Sequence, residues 1–292
     1  MSNSVITNAS ALVALQNLNA TNTKLASTQS RVNTGLKVQG AKDNAATWAI
    51  AQNQRADMSA LDSVKTSLNR ATSIADVALA AGQQISDILV ELRQKATAAA
   101  DPSASAATRK AYNDEFQTLL KSLQSFADNA SFDGENILNG QVPGVTPAPS
   151  PLTPLSFLAN ADASETITMN RQDMTLAGLN LESTDFTSPA TAFDLLSQDN
   201  AAGALASVEA ALANASAKLA ELGAQSNQIE KHTLFVTKLM DSLEVGVGNL
   251  VDADMARESA RLQALQVQQQ LGAQALSIAN QAPQIILSLF KG

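Results

Sequence analysis

The sequence predicts a mainly α protein: long antiparallel coiled-coil helical rods from paired N- and C-terminal segments, with a small β-containing middle region. Three observations predict it. Apolar residues recur in alternating steps of four and three over two long segments, the mark of a coiled-coil seam. Aromatic residues are scarce, eight Phe, one Trp and one Tyr in 292. A core of Ala, Leu, Ile and Val is left, which suits helix-on-helix packing better than a large globular interior. Five of the eight prolines fall in one run, QVPGVTPAPSPLTP from Gln141 to Pro154, which neither helix nor central strand tolerates.

Taken along the chain, the first seam runs Ala11, Leu15, Leu18, Asn22, Leu25, Gln29, Val32, Leu36, and breaks between Gly35 and Asp43. A long ladder follows through Ile50, Gln54, Asp57, Leu61, Val64 and Leu68, then onward in the same steps to Leu89, Leu92 and Ala96. Asp101-Pro102 reads as N-cap and N1 proline of a shorter helix that carries Tyr112, Phe116, Leu120, Leu123 and Phe126 and ends near Asn129. SFDGENILNG is turn-rich. LSFLA, ETITMN and MTLAGLNL alternate weakly and read as short strands.

Ser188-Pro189 is expected to open the second rod, again as N-cap and N1 proline. Its ladder runs from Leu205, Val208 and Leu212 to Val247 and Leu250, with Ser226 and Thr233 its polar members. After a break at NLVDAD, a last seam passes through Met255, Leu262, Leu265, Gly272, Leu276, Ala279, Ile286 and Phe290, one residue out of phase. Paired breaks in antiparallel rods mark a joint between packing layers. The expected division is 1–42 and 252–292 as terminal helices, 43–140 and 190–251 as rods, and 141–189 as an exposed middle.

Charge narrows the function. Nineteen basic and 27 acidic residues give a net charge of −8, with no Lys/Arg cluster, so a nucleic-acid partner is not expected. The chain has no Cys and one His, which excludes disulfides and thiolate metal sites. His232 has no HExxH or carboxylate companion, so no metal and no cofactor are expected. Asp252 and Asp254 point to different helix faces, which favours helix capping over acid–base work. With no convergent catalytic constellation, an enzyme is not expected. No run of about 18 apolar residues is present, so no membrane span is expected; the first charge is Lys24, so a Sec-type leader is not expected either.

Ser2–Thr23 and Leu262–Phe290 carry no charged side chain. Their polar faces hold Asn, Gln, Ser and Thr, where a water-facing helix ordinarily carries Lys or Glu. Such ends are expected to bury their seams on meeting partners.

These residues resemble bacterial flagellin, particularly short alphaproteobacterial members. The likeness rests on LVALQNLNATNTKLASTQSRVNTGLKVQGAKDNAATWAIAQ (Leu12–Gln52), FDGENIL (Phe132–Leu138), LGAQSNQIE (Leu222–Glu230) and the stretch Asn249–Phe290. The resemblance implies a subunit that polymerises into the helical filament of the flagellum, outside the cell, serving motility. It implies an inner layer of paired termini folding on assembly, an outer layer of rods and a solvent-facing middle. It also implies type III export and, as partners, further copies, related flagellins, a filament cap, hook–filament junction proteins and an export chaperone. Leu12, Leu15, Leu18, Leu25, Leu262, Leu265, Leu276, Ile286 and Phe290 match apolar positions of the subunit interface. A hook–filament junction protein is the alternative reading; a secreted coiled-coil adhesin is a more distant one.

Overall fold

A computed structural model describes residues 8–142, 152–182 and 193–289, with side chains described as far as Gln281 in the last helix. The predicted Ser188-Pro189 helix start, most of the Pro-rich run and Phe290 lie outside the described residues, as does the Ile286 side chain. Described elements are α1 (Ala9–Thr34), α2 (Ala45–Ala99), α3 (Ala106–Asn129), β1 (Ser131–Phe132), β2 (Glu135–Asn136), β3 (Leu155–Leu158), β4 (Thr166–Met169), α4 (Gln198–Val251) and α5 (Met255–Leu289). The chain divides into two compact units, one of residues 1–57 with 241–292 and one of residues 58–240.

In the first unit α1 and α5 pack antiparallel. Asn8 Nδ2 donates to the Ala279 carbonyl at 2.7 Å, Gln269 Nε2 to Asn22 Oδ1 at 2.8 Å, and Arg31 faces Glu258. Asn8 caps α1 by accepting the Ala11 N–H at 3.1 Å. Gly35 closes it with φ 72°, a left-handed C-cap that costs glycine little. Asp254 caps α5, accepting the Arg257 N–H at 3.1 Å, so this carboxylate does the capping work its spacing suggested. The two breaks meet as the sequence led one to expect: Leu36 bridges Asp252, the Lys37 N–H donates to Val251 O at 2.7 Å, and the Ala253 N–H donates to Gly35 O at 2.8 Å.

The second unit holds the long ladder. Leu61, Val64, Leu68, Ala71, Ala75, Ala78, Gly82, Ile85, Leu89, Leu92 and Ala96 are all buried, as the heptad requires. Upstream, in the first unit, the phase differs: Ile50 is half exposed while Ala51 is buried. α4 runs antiparallel to α2, since Arg93 pairs with Glu209 at 3.1 Å and a Cβ on Gly82 would collide with Leu219. On α4 Val208, Ala215, Leu222, Ser226, Ile229 and Val236 of the predicted ladder are buried, while Ala204 and Ala211 take the buried places expected for Leu205 and Leu212.

Three local expectations are corrected. Ser105, not Asp101, caps α3, accepting the Thr108 N–H at 3.1 Å. Asp101 instead shapes a turn by accepting the Ser103 N–H at 2.8 Å. Arg109 reaches back to the Ala99 and Asp101 carbonyls at 2.9 and 2.8 Å, satisfying acceptors left open at the end of α2. S105A is expected to destabilise this unit by about 1 kcal/mol; an unchanged urea midpoint would remove the cap from the account.

The second rod begins at Gln198. Ser197 Oγ accepts the Asn200 N–H at 3.0 Å, and the described residues from Phe193 to Ser197 are non-helical. MTLAGLNL is a set of turns and not a strand. The Leu179 N–H bonds Thr175 O at 3.0 Å, the Leu181 N–H bonds Leu176 O at 2.8 Å, and Lys218 of α4 donates to the Asp173 and Gly178 carbonyls. Burial of that amine lowers its pKa, the Asp173 charge opposing.

LSFLA and ETITMN do form a hairpin, with Leu155 opposite Met169 and Leu158 opposite Thr166. FDGE forms a second, tighter one. Asp133 and Gly134 at φ 53° and 78° give the two positive φ values of the mirror-image type I turn that Asp-Gly favours.

Candidate assembly surface

The α1–α5 hairpin carries two apolar stripes. The first lies between the helices. From α1 it takes Ala11, Ala14, Leu18, Thr21, Leu25 and Thr28; from α5 it takes Glu258, Leu262, Leu265, Gln269, Gly272, Leu276 and Ala279. The α5 register is the predicted one except that Met255 is 43% exposed and Glu258 takes the inward place. In α1 every second predicted position moves by one residue: Ala14, Thr21 and Thr28 face inward instead of Leu15, Asn22 and Gln29. The reason is close approach. A Cβ on Gly272 would sit 3.3 Å from Leu18 Cδ1, and helices this near need small or short residues at the facing positions.

The second stripe faces outward. Leu12, Val13 and Leu15 on α1 are 60, 57 and 43% exposed; Val267, Leu271 and Ile278 on α5 are 55, 58 and 69% exposed. Val267, Leu271 and Ile278 follow helical spacing and lie about 200° round the axis from Leu265, Gln269 and Leu276, on the opposite face. The flanking side chains are amides and hydroxyls without charge. Exposed apolar faces of this kind are common at association surfaces.

Of the nine residues singled out in the sequence, Leu12 and Leu15 stand on the open face. Leu25 and Leu265 are buried against the partner helix of the same chain, and Leu18, Leu262 and Leu276 are half-buried in that seam. Val13, Val267, Leu271 and Ile278 were missed, although a second helical stripe on the same segments was there to be read. Glu258 was missed too. Its side chain is 10% exposed, with Arg31 Nη1 3.6 Å from one oxygen and no partner for the other. Stepping back four residues from Leu262, not seven, would have found it.

Nothing in this geometry activates a nucleophile or gathers metal ligands. Among the described residues no group of three or more His, Asp or Glu could hold an ion, and no described helix is long and apolar enough to cross a membrane. His232 bonds the Ala159 carbonyl through Nε2 at 2.7 Å, a structural contact of the kind expected for a lone histidine.

The profile of the bacterial flagellin N-terminal helical region matches residues 5–142, and that of the C-terminal helical region matches residues 205–290. Flagellin FljK of Caulobacter vibrioides is 47% identical over 290 residues, covering 99% of both chains. The chain belongs to the flagellin family.

A flagellin of Brucella melitensis is 40% identical over 296 residues, again covering 99% of each chain. Among solved structures, a Vibrio parahaemolyticus chain provisionally named as a flagellar hook-associated protein superposes with a TM-score of 0.56 at 14% identity, over 72% of this chain and all of that one. That likeness concerns the fold alone. Full-length identity to flagellins sets the junction-protein and adhesin readings aside. This flagellin is a structural subunit of the flagellar filament, a polymer of flagellins exported outside the cell.

Proposed function

We propose that the outward stripe of the α1–α5 hairpin is the surface through which each copy enters the core of the filament. Leu12 and Leu15 contact neighbouring copies directly. Leu18, Leu25, Leu262, Leu265 and Leu276 hold the hairpin that presents them, and Ile286 and Phe290, members of the same predicted seam, are taken as further interface positions. The observation that carries this reading is the exposure of apolar side chains on both helices where no charge competes for water.

A helical polymer needs two different, non-closing contact surfaces per subunit, and faces distributed over two antiparallel helices supply them. In this reading 1–42 and 252–292 form the inner layer, 43–140 and 190–251 the next, and 141–189 faces solvent. The terminal helices gain their full order on assembly, because ordering each residue costs on the order of 1–2 kcal/mol of backbone entropy and the lone hairpin leaves one stripe wet. The chain performs no catalysis and takes no cofactor. A filament cap, hook–filament junction proteins and an export chaperone are its further partners, with delivery through the flagellar type III channel.

Deleting Ser2–Thr23 or Leu262–Phe290 tests this. The truncated chains are expected to keep the helices of the second unit by circular dichroism and to form no filaments when seeded. Normal filaments from either truncation would overturn the proposal. Hydrogen exchange supplies an independent readout: slow exchange of both ends in the isolated subunit would contradict ordering on assembly.

A further inference from the structure

Glu258 is the one charged member of the α1–α5 seam; its companions there are Ala, Leu, Thr, Gln and Gly. Its side chain is 10% exposed, and Arg31 Nη1 stands 3.6 Å from one carboxylate oxygen, too far for a hydrogen bond. The other oxygen is enclosed without any partner. Arg257 and Arg261, its neighbours on α5, form no ion pair among the described residues.

A carboxylate taken out of water needs a close cation and hydrogen bonds to both oxygens before attraction offsets the lost hydration. Glu258 has a distant cation and an orphaned oxygen. Arg31 is 26% exposed and keeps part of its own water, so the cost of burial falls on the carboxylate. The N-terminus of α5 does favour a negative charge in its first turn, but that attraction is present whenever α5 is helical. Packing against α1 is the step that dries Glu258, and the cost therefore belongs to hairpin closure.

We propose that Glu258 is a brake on closure of the α1–α5 hairpin. It holds down the closed population of the lone subunit until contacts with neighbouring copies, made through the outward stripe, outweigh the burial of its charge. This rests on the filament reading above, and it assigns a residue to the ordering on assembly described there.

A brake and an ordinary stabilising ion pair differ in sign. The concentration needed for assembly rises as the fraction of competent, closed subunits falls. Replacing Glu258 with an uncharged residue of similar size raises that fraction if the carboxylate is a brake, and lowers it if the pair with Arg31 holds the hairpin together. Arg31 acts the other way: it is the one cation near the charge, so its removal leaves Glu258 buried with nothing opposite.

E258L is expected to form filaments at roughly one tenth of the parent's concentration, equivalent to about 1.4 kcal/mol, measured by sedimentation after seeding. In the isolated E258L subunit, amides of α1 and α5 are expected to exchange more slowly than in the parent. R31M is expected to raise the assembly concentration, and R31M/E258L to bring it below the parent's again. E258Q keeps the shape and drops the charge; it is expected to shift assembly and exchange in the same direction as E258L by a smaller factor. That variant decides the matter if circular dichroism shows that leucine disturbs the subunit. Folded E258L or E258Q that assembles no more readily than the parent, with α1 and α5 amides no slower, would overturn the proposal and make the pair an ordinary stabilising contact. Failure of the unaltered chain to form filaments would instead strike the filament reading.

Discussion

A chain carrying L12D and L15D is expected to remain unassembled at concentrations where the parent forms filaments. Both leucines are more than two-fifths exposed in the hairpin, so their replacement leaves the fold of the subunit nearly untouched. In the proposed filament core each would lose its transfer from water, up to about 1.5–3 kcal/mol per leucine fully buried, and would bring a carboxylate into an apolar contact. Half of the apolar term for both sites, about 1.5–3 kcal/mol, raises the concentration needed for assembly roughly ten- to a hundredfold, since about 1.4 kcal/mol is a factor of ten. Sedimentation after seeding measures this, with circular dichroism as the check on folding. Polymerisation at the parent's concentration would show that the outward stripe is not buried between copies. The contrasting variant is L25A, buried in the α1–α5 seam, where the main effect is expected on the hairpin itself.

The largest loss of stability is expected from R171A. Arg171 has an almost fully buried side chain, 3% exposed, and pairs with Glu135 Oε2 at 2.6 Å. It also donates to the carbonyls of Asn136, Gln141 and Thr153 at 2.7, 3.3 and 3.2 Å. One guanidinium thus ties the β1–β2 hairpin to the chain leaving β2 and to the segment entering β3. Truncation leaves a part-buried carboxylate and three carbonyls without their donor, a loss of about 3–5 kcal/mol by analogy with broken buried ion pairs. At roughly 2–4 °C per kcal/mol for a unit of this size, the melting temperature of residues 58–240 is expected to fall by about 10 °C. R171K keeps the charge but not the planar fork and is expected to recover only part of it. A change below about 1 kcal/mol in R171A would mean that water takes over the three carbonyls at little cost.

Much of the helical framework was legible because a heptad is a local signal. Leu61 through Ala96 were read in register, and every one of them is buried. The terminal seams were read only in part. In α1 the inward positions include Thr21 and Thr28, which a search for apolar residues passes over, and the leucines so found are divided between the inner seam and the open face. Caps were harder still. Asp101-Pro102 and Ser105 both satisfy the rules for a helix start, and the choice fell to Ser105 through Arg109, whose bonds to Ala99 and Asp101 hold those residues in the turn. MTLAGLNL alternates like a strand yet coils into turns, tied by Lys218, 40 or more residues away in sequence, which binds the Gly178 carbonyl within it and the Asp173 carbonyl just before it.

The sequence by itself determined the helical class, the long ladder, the paired breaks, the turn-rich SFDGENILNG stretch and the uncharged ends. All of these follow from spacing and composition within a few turns of chain, where each residue's neighbours are fixed by covalent order. Only the tertiary structure decided which of two apolar stripes on α1 and α5 is sheltered, that Glu258 lies buried beside Arg31, and that Arg171 gathers three separate backbone segments. Those outcomes depend on how closely two helices or loops can approach. That distance is set by the small and large side chains of both partners together, and no single stretch of sequence contains it.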